Sequence, residues 1–307
     1  MKIIPLAFDS FSTRSMATYI ETKDCKIIID PGISIAPSRY GLPPHPIELQ
    51  RLSNDWEKIK SFAKKADVFC LTHYHYDHHV PDEPEIWKGK VALIKHPTEK
   101  INFSQKKRAA YFIPLIKDIV KSLDYCDGKE FKFGSTKIVF SKPVFHGPAE
   151  RLGYVTEILI EEGKERFVFT SDVEGPPLDN QTEFIIDSDP QILILDGPLS
   201  YMMYRFGTKA MEDSIKNMKK IIKNTQVKNF IIDHHFLRDI NWMEKVKSVK
   251  EEAEEHKILF SSAAKFADEK EQLLEANRKN LFKVEDPKKF KLEKSVQEIA
   301  KKLLKEE

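Results

Sequence analysis

The sequence predicts an α/β protein in which helices cover sheets, with a helical extension at the C-terminus. Three observations carry this. Short apolar runs rich in β-branched residues and phenylalanine alternate with amphipathic helical stretches through the middle of the chain. Strand-like runs dominate the first half. After Ala263 the chain becomes Lys/Glu-rich and helical in pattern as far as Glu307. At 307 residues and 41% hydrophobic content it has enough apolar mass for a sizeable core.

Taken in order, strands are expected over residues 3–8, 17–21, 26–30, 67–71, 91–95, 136–141, 154–160, 166–171, 192–196, 228–232 and 257–260. The segment 37–46, PSRYGLPPHP, reads as a stiff loop. Over 56–66, Trp56, Ile59, Phe62, Ala63 and Ala66 share one helical face. A second helix is expected over 98–123, where Pro114 should kink or divide it. A third, over 209–223, follows a candidate cap at Thr208 and carries Met211, Ile215, Met218 and Ile222 at helical spacing. Asp286-Pro287 should split the tail into two helices. The reading gives one main domain over 1–262 and a helical extension over 263–307 packed on it.

Composition narrows the function. Fifty basic and 48 acidic residues leave a formal net charge of +2, so the chain is not built mainly to coat nucleic acid. The longest apolar runs are too short to span a bilayer. MKIIPLAFDSF has no signal-peptide layout. Cys25, Cys70 and Cys126 are scattered, odd in number and without CxxC spacing, as expected of reduced thiols in a cytoplasmic protein.

The chemistry concentrates in LTHYHYDHHVP, residues 71–81, where four histidines and an aspartate fall within seven residues directly after a strand. Alternate side chains of an extended segment face one side, so His73 and His75 can share one metal while Tyr74 and Tyr76 pack away from it. Asp77 and His78 come where the chain should turn, and can reach a second metal. Imidazole and carboxylate suit zinc, and also iron or manganese. His79 has no place in the pattern and is assigned an outer-sphere or surface role. Three further strand ends carry metal-competent groups: His146 in KPVFHGP, Asp172 in FVFTSDVEGP, and His234 with His235 in NFIIDHHF. One such residue is usually a structural hydrogen-bonder or a turn former. Four repeats of one layout point to a shared site.

These motifs, with Asp30 ending a strand in IIIDPG, resemble the metallo-β-lactamase superfamily over residues 3–260. The resemblance implies a four-layer αβ/βα sandwich with its site on the rim where loops meet. It implies that His73, His75 and His146 hold a first metal, that Asp77, His78 and a late histidine hold a second, and that Asp172 bridges them. Asp30 would orient a ligand from the outer sphere. His235 is favoured as the late ligand because the superfamily often shows His followed by an aromatic there, and Phe236 follows; His234 is the alternative. Two divalent ions, zinc first, would acidify a water held between them and supply a bridging hydroxide near neutral pH. Asp77, Asp172 and His235 would then take part in catalysis.

Within the superfamily the chain is similar to a mainly archaeal branch of stand-alone metallo-hydrolases, with HGP, SDVEGP and DHH as its hallmarks. Secreted β-lactamases lack the intact Asp77 arrangement, flavodiiron enzymes replace a motif histidine by glutamate, and nucleases with an inserted cap need more than the about sixty residues between Asp172 and the late histidine. A hydrolase of phosphodiesters or phosphate esters is therefore expected, acting on a small-molecule or nucleotide-type substrate. Arg39, Arg151 and Arg205 are among the basic residues near the motifs in sequence, and arginine suits phosphate. The competing readings are a thioester or lactone hydrolase, and a nucleic-acid-binding or scaffold member without hydrolysis. Nucleic acid as substrate and a homo-oligomeric state stay open.

Overall fold

The computed structural model describes residues 1–304; the last three residues of the expected tail lie outside it. Six strands form the first sheet: β1 (Lys2–Phe8), β2 (Met16–Glu21), β3 (Lys26–Ile29), β4 (Val68–Leu71), β5 (Val91–Ile94) and β6 (Ser122–Tyr125). The second half supplies β7 (Glu130–Phe133), β8 (Thr136–Phe140), β9 (Val144–Phe145), β10 (Tyr154–Val155), β11 (Ile158–Glu162), β12 (Glu165–Phe169), β13 (Ile192–Asp196), β14 (Asn229–Asp233) and β15 (Leu259–Ser261). Strands β9 and β10 pair on their own; the others form a seven-stranded sheet in the order β15-β14-β13-β12-β11-β8-β7. Each large sheet begins antiparallel and ends as a run of parallel strands, β3 to β6 in one and β12 to β15 in the other. The same layout is thus used twice.

Helices fill the connections: α1 (Pro46–Ala63), α2 (Phe103–Ile116), α3 (Asn180–Ser188), α4 (Met203–Phe206), α5 (Thr208–Asn224), α6 (Trp242–Lys245), α7 (Lys247–Glu255), α8 (Ala263–Phe266), α9 (Arg278–Val284) and α10 (Lys294–Leu303). Strand alternation sorts the core into three apolar layers. Ile27, Ile29, Cys70 and Leu93 meet Ile138, Ile158, Phe167 and Ile231 between the sheets. Phe69 and Leu71 face outward to Trp56 and Ile59 of α1 and Phe112 of α2. Leu193, Phe230 and Ile232 face Met218 and Ile222 of α5 and Val249 of α7. Helix, sheet, sheet, helix is the four-layer metallo-β-lactamase fold expected.

Several boundaries move. The first helix begins ten residues before the expected Trp56, because His45 and Glu48 form a reciprocal cap and Pro46 occupies the first turn. Pro114 sits in the last turn of α2, so the helix ends near it instead of kinking. The expected continuation to residue 123 fails because Leu123 and Tyr125 alternate with exposed residues as an edge strand. Gly207, not Thr208, caps α5. The expected strand 154–160 is two, Tyr154–Val155 and Ile158–Glu162.

The tail is not continuously helical, but a break does fall at Asp286-Pro287. Residue 263 marks no gap in packing. Ala263 and Ala264 lie in the inter-sheet core. Arg278, wholly buried, forks onto Glu48 at 2.9 Å for both Nε–Oε2 and Nη2–Oε1. Val296, Ala300 and Leu303 of α10 are buried, and Leu303 joins the core beneath α1. No described helix is long and apolar enough to cross a membrane.

Candidate metal centre

The loops that follow β3, β4, β9, β12 and β14 converge on one rim of the sandwich. Their positions rest on backbone conformations that most residues avoid. Asp30, Ser171, Glu174 and His234 all take positive φ, between 47° and 60°. Gly32 explains the glycine of IIIDPG: a β-carbon there would lie 2.0 Å from the His79 backbone nitrogen.

Two groups of donors result. In the first, His73 Nε2 and His75 Nδ1 lie 3.0 Å apart, and Asp172 Oδ2 lies 3.4 Å from His73 Nε2 and 3.1 Å from His146 Nε2. In the second, Asp172 Oδ1 lies 3.1 Å from His78 Nε2 and 3.5 Å from His234 Nε2. Asp77 closes this group at 3.8 Å from His78 Nε2 and 3.6 Å from His234 Nε2. Asp172 thus offers one oxygen to each group.

His78 Nε2 and Asp172 Oδ1 are both buried and neither makes a hydrogen bond, despite their separation. Buried polar atoms that face one another at this distance without a hydrogen bond fit two donors to one ion between them. Imidazole and carboxylate donors converging in this way suit a divalent ion in each group.

The histidine that faces Asp77 and His78 is His234, where the sequence reading favours His235. The reason is local. Strand β14 ends at Asp233, whose carboxylate accepts from the backbone nitrogens of Ser10, His234 and Ala263. His234 then turns left-handed at φ 60°, and strict alternation no longer applies. His235 donates or accepts through Nδ1 with Asp196 at 3.0 Å, and its ring lies beside His146 on the cavity wall.

Outer contacts fix the rings. Asp30 Oδ2 meets His78 Nδ1 at 2.8 Å and also accepts from the Thr72 hydroxyl. Asp9 Oδ2 meets His234 Nδ1 at 2.8 Å, and Arg238 Nε donates to the other Asp9 oxygen. Holding the far nitrogen sets which ring nitrogen is presented inward. His79 is fully buried, bonds the His75 carbonyl through Nδ1 at 2.9 Å and packs on Phe112, so its role is structural. Tyr74 is buried away from the site as expected. Of the three arginines, Arg151 and Arg205 line the cavity. Arg39 does not; it stacks on Tyr201 and donates to the Arg238 carbonyl. Asp9, Glu174, Asp196 and Arg238 were not anticipated. Asp196 ends the run ILILD just as Asp172 follows FVFTS, so strand-end acids were a usable signal.

Electrostatics divide the histidines. Burial, with the neighbouring His78 charge, holds His73 well below its usual range, and burial does the same for His75; both keep a free lone pair. Burial opposes charge on His78 as well, but Asp172, Asp30 and Asp77 outweigh it and push the ring well above the usual range. His234 is pushed up to about 10, against its burial, chiefly by Asp172. The acids gathered around His78 and His234 therefore favour positive charge at that place, which a divalent ion would supply.

No family model matches the sequence. The solved structure of unliganded yeast PDE1 shares the fold at a TM-score of 0.50 and 15% identity, over 85% of this chain and 96% of that one. A UPF0282 protein of Korarchaeum cryptofilum is 46% identical over 92% of this chain and 95% of its own length. One from Methanocaldococcus jannaschii is 43% identical over 93% and 98%. Identity of that order over nearly the whole length of both chains settles kinship: this chain belongs to the UPF0282 family.

Proposed function

We propose that the chain is a binuclear metal-dependent hydrolase of phosphodiester or phosphate-ester substrates. The carrying observation is Asp172, one carboxylate with an oxygen in each of two donor groups. His73, His75 and His146 would hold one ion, Asp77, His78 and His234 the other. Zinc suits these donors first, with iron or manganese as alternatives. Bound there, the ions would supply an acidified water and Lewis-acid contact for the anion being formed. The chain's own residues do the remainder. Asp30 and Asp9 hold His78 and His234 in the tautomer that presents Nε2. His235, set by Asp196 on the cavity wall and held by burial and by Arg238 well below its usual range, is placed to accept a proton from an attacking water. A cavity of about 390 Å³ opens onto the cluster, with Arg151 and Arg205 on its walls. That volume suits a small or nucleotide-sized substrate, and arginines suit phosphate oxygens.

A binding-only protein of this fold would not need the complete donor set, which is the observation against that reading. The test is a substrate panel on protein reconstituted separately with zinc, manganese and iron. Turnover of bis(p-nitrophenyl) phosphate or p-nitrophenyl phosphate is expected, and Asp172→Asn should abolish it. Turnover confined to a thioester or a lactone would replace the substrate class. No turnover of any ester at full metal occupancy would remove the hydrolase reading.

A further inference from the structure

Arg108 is a buried cation that the cluster does not use. It lies on α2 in the wall of the cavity that also holds His75, Asp77 and Asp172. Only 9% of it is exposed. The Tyr76 ring lies 4.5 Å from its guanidinium carbon. Among the described residues no carboxylate pairs with it, and its buried Nη1 has no hydrogen-bond partner. A guanidinium taken out of water without a counter-ion is expensive to keep. Arg238, the other buried arginine of the cavity, is committed to Asp9 and Asp77.

The position of Arg108 is also fixed in advance. Asn102 caps α2 by accepting from Gln105 N at 2.9 Å. The same first turn grips the loop that carries Arg151: Asn102 Nδ2 donates to the Arg151 carbonyl at 3.1 Å, and Gln105 Nε2 to the Leu152 carbonyl at 2.7 Å. Gln105 Oε1 accepts from the backbone of Tyr74, inside the histidine motif, at 3.3 Å. Gly153 permits this close seam, since a β-carbon there would stand 3.1 Å from Asn102 N. Helix, arginine loop and metal ligands are therefore braced together around one side of the cavity.

We infer that Arg108 is the anion-recognition residue of this cavity, binding the non-bridging oxygens of a phosphate ester presented to the metal cluster. The inference rests on the phosphate-ester reading above. A planar carboxylate would satisfy the same fork, so the test separates the two anions. An ionic hydrogen bond from a desolvated guanidinium selects charge strongly, and Tyr76 keeps the fork in plane against its ring.

The experiment compares zinc-reconstituted wild type with Arg108→Gln and Arg108→Lys, with metal content measured in each. Inorganic phosphate and succinate are titrated into all three by calorimetry, and KM and kcat are measured for bis(p-nitrophenyl) phosphate. Arg108→Gln should keep its metals, weaken phosphate binding roughly 10- to 100-fold and raise KM by a similar factor, with kcat changed less. Arg108→Lys should fall between, because it keeps the charge and loses the fork. Weakened phosphate binding in Arg108→Gln, in a wild type that turns over no phosphate ester, keeps Arg108 as the anion site and removes the phosphate-ester reading. Tight succinate binding with no phosphate binding overturns the phosphate assignment. Phosphate affinity equal to wild type in Arg108→Gln overturns the inference outright. Should Arg108→Gln fail to fold, wild-type affinity in Arg108→Lys overturns it.

Discussion

At the scale of single residues, the site turns on where one histidine stops following its strand. His234 reaches Asp77 and Asp172 because the backbone turns left-handed there, and no pattern of apolar residues announces such a turn. The cluster of His73, His75, Asp77 and His78, proposed as ligands, was legible because a ligand set must be dense in sequence or close in space, and here it is dense. His146 and Asp172 were legible from their places after strands. His234 against His235 was not, since both are polar, adjacent and buried. Elemental analysis of alanine variants separates them. His234→Ala should lose about one of the two metals, as removal of a direct ligand does. His235→Ala should keep both and lose turnover by about 10²- to 10⁴-fold, the usual range for a positioned acid or base. Loss of metal from His235→Ala alone would restore the assignment made from sequence.

At the scale of elements, strands with buried residues were read well, while the exposed edge strands β6 and β7 were missed. Strands β6 and β7 show only alternating exposed and half-buried residues, so their apolar signal is weak. The tail was read as an appendage because its composition is polar. One of its anchors is Arg278, which forks onto Glu48 and also donates to the carbonyls of Leu42 and Ala36. That one arginine ties the segment around 278 to the loop before α1 and to the cap of α1. Arg278→Met should destabilise the fold by about 3–5 kcal/mol, because it strands a buried carboxylate. Adding Glu48→Gln should recover part of the loss. Urea unfolding of both variants measures this, and an unchanged midpoint in Arg278→Met would show that the fork on Glu48 contributes nothing to stability.

At the scale of the whole molecule, Glu157 sets a pH dependence. It is fully buried, neither oxygen has a hydrogen-bond partner, and burial alone pushes its carboxyl well above the usual range. The sign follows from proton counting. Between the unfolded and folded values the native state holds a proton that the unfolded state has released. Stability is therefore greatest below the unfolded value and falls as pH rises toward the folded one, by at most about 1.4 kcal/mol per pH unit. Glu157→Gln should remove this slope and raise the melting temperature increasingly as pH rises above the unfolded value toward the folded one. Parallel melting profiles for wild type and variant across that range would show that Glu157 is not the cause.

The division of donors between the two sheets has a mechanical meaning. Each group draws two side chains from the half of the chain before β7 and two from the half after it: His73 and His75 with His146 and Asp172, then Asp77 and His78 with His234 and Asp172. On the proposed assignment neither half supplies more than two donors to either ion. The ions would act as rivets through a seam, and affinity for them would report how firmly the halves are docked. A chain nicked in the exposed turn at Gly128–Lys129 should then behave as two fragments that retain zinc only when paired, and a chelator should pull them apart at denaturant concentrations the riveted pair withstands.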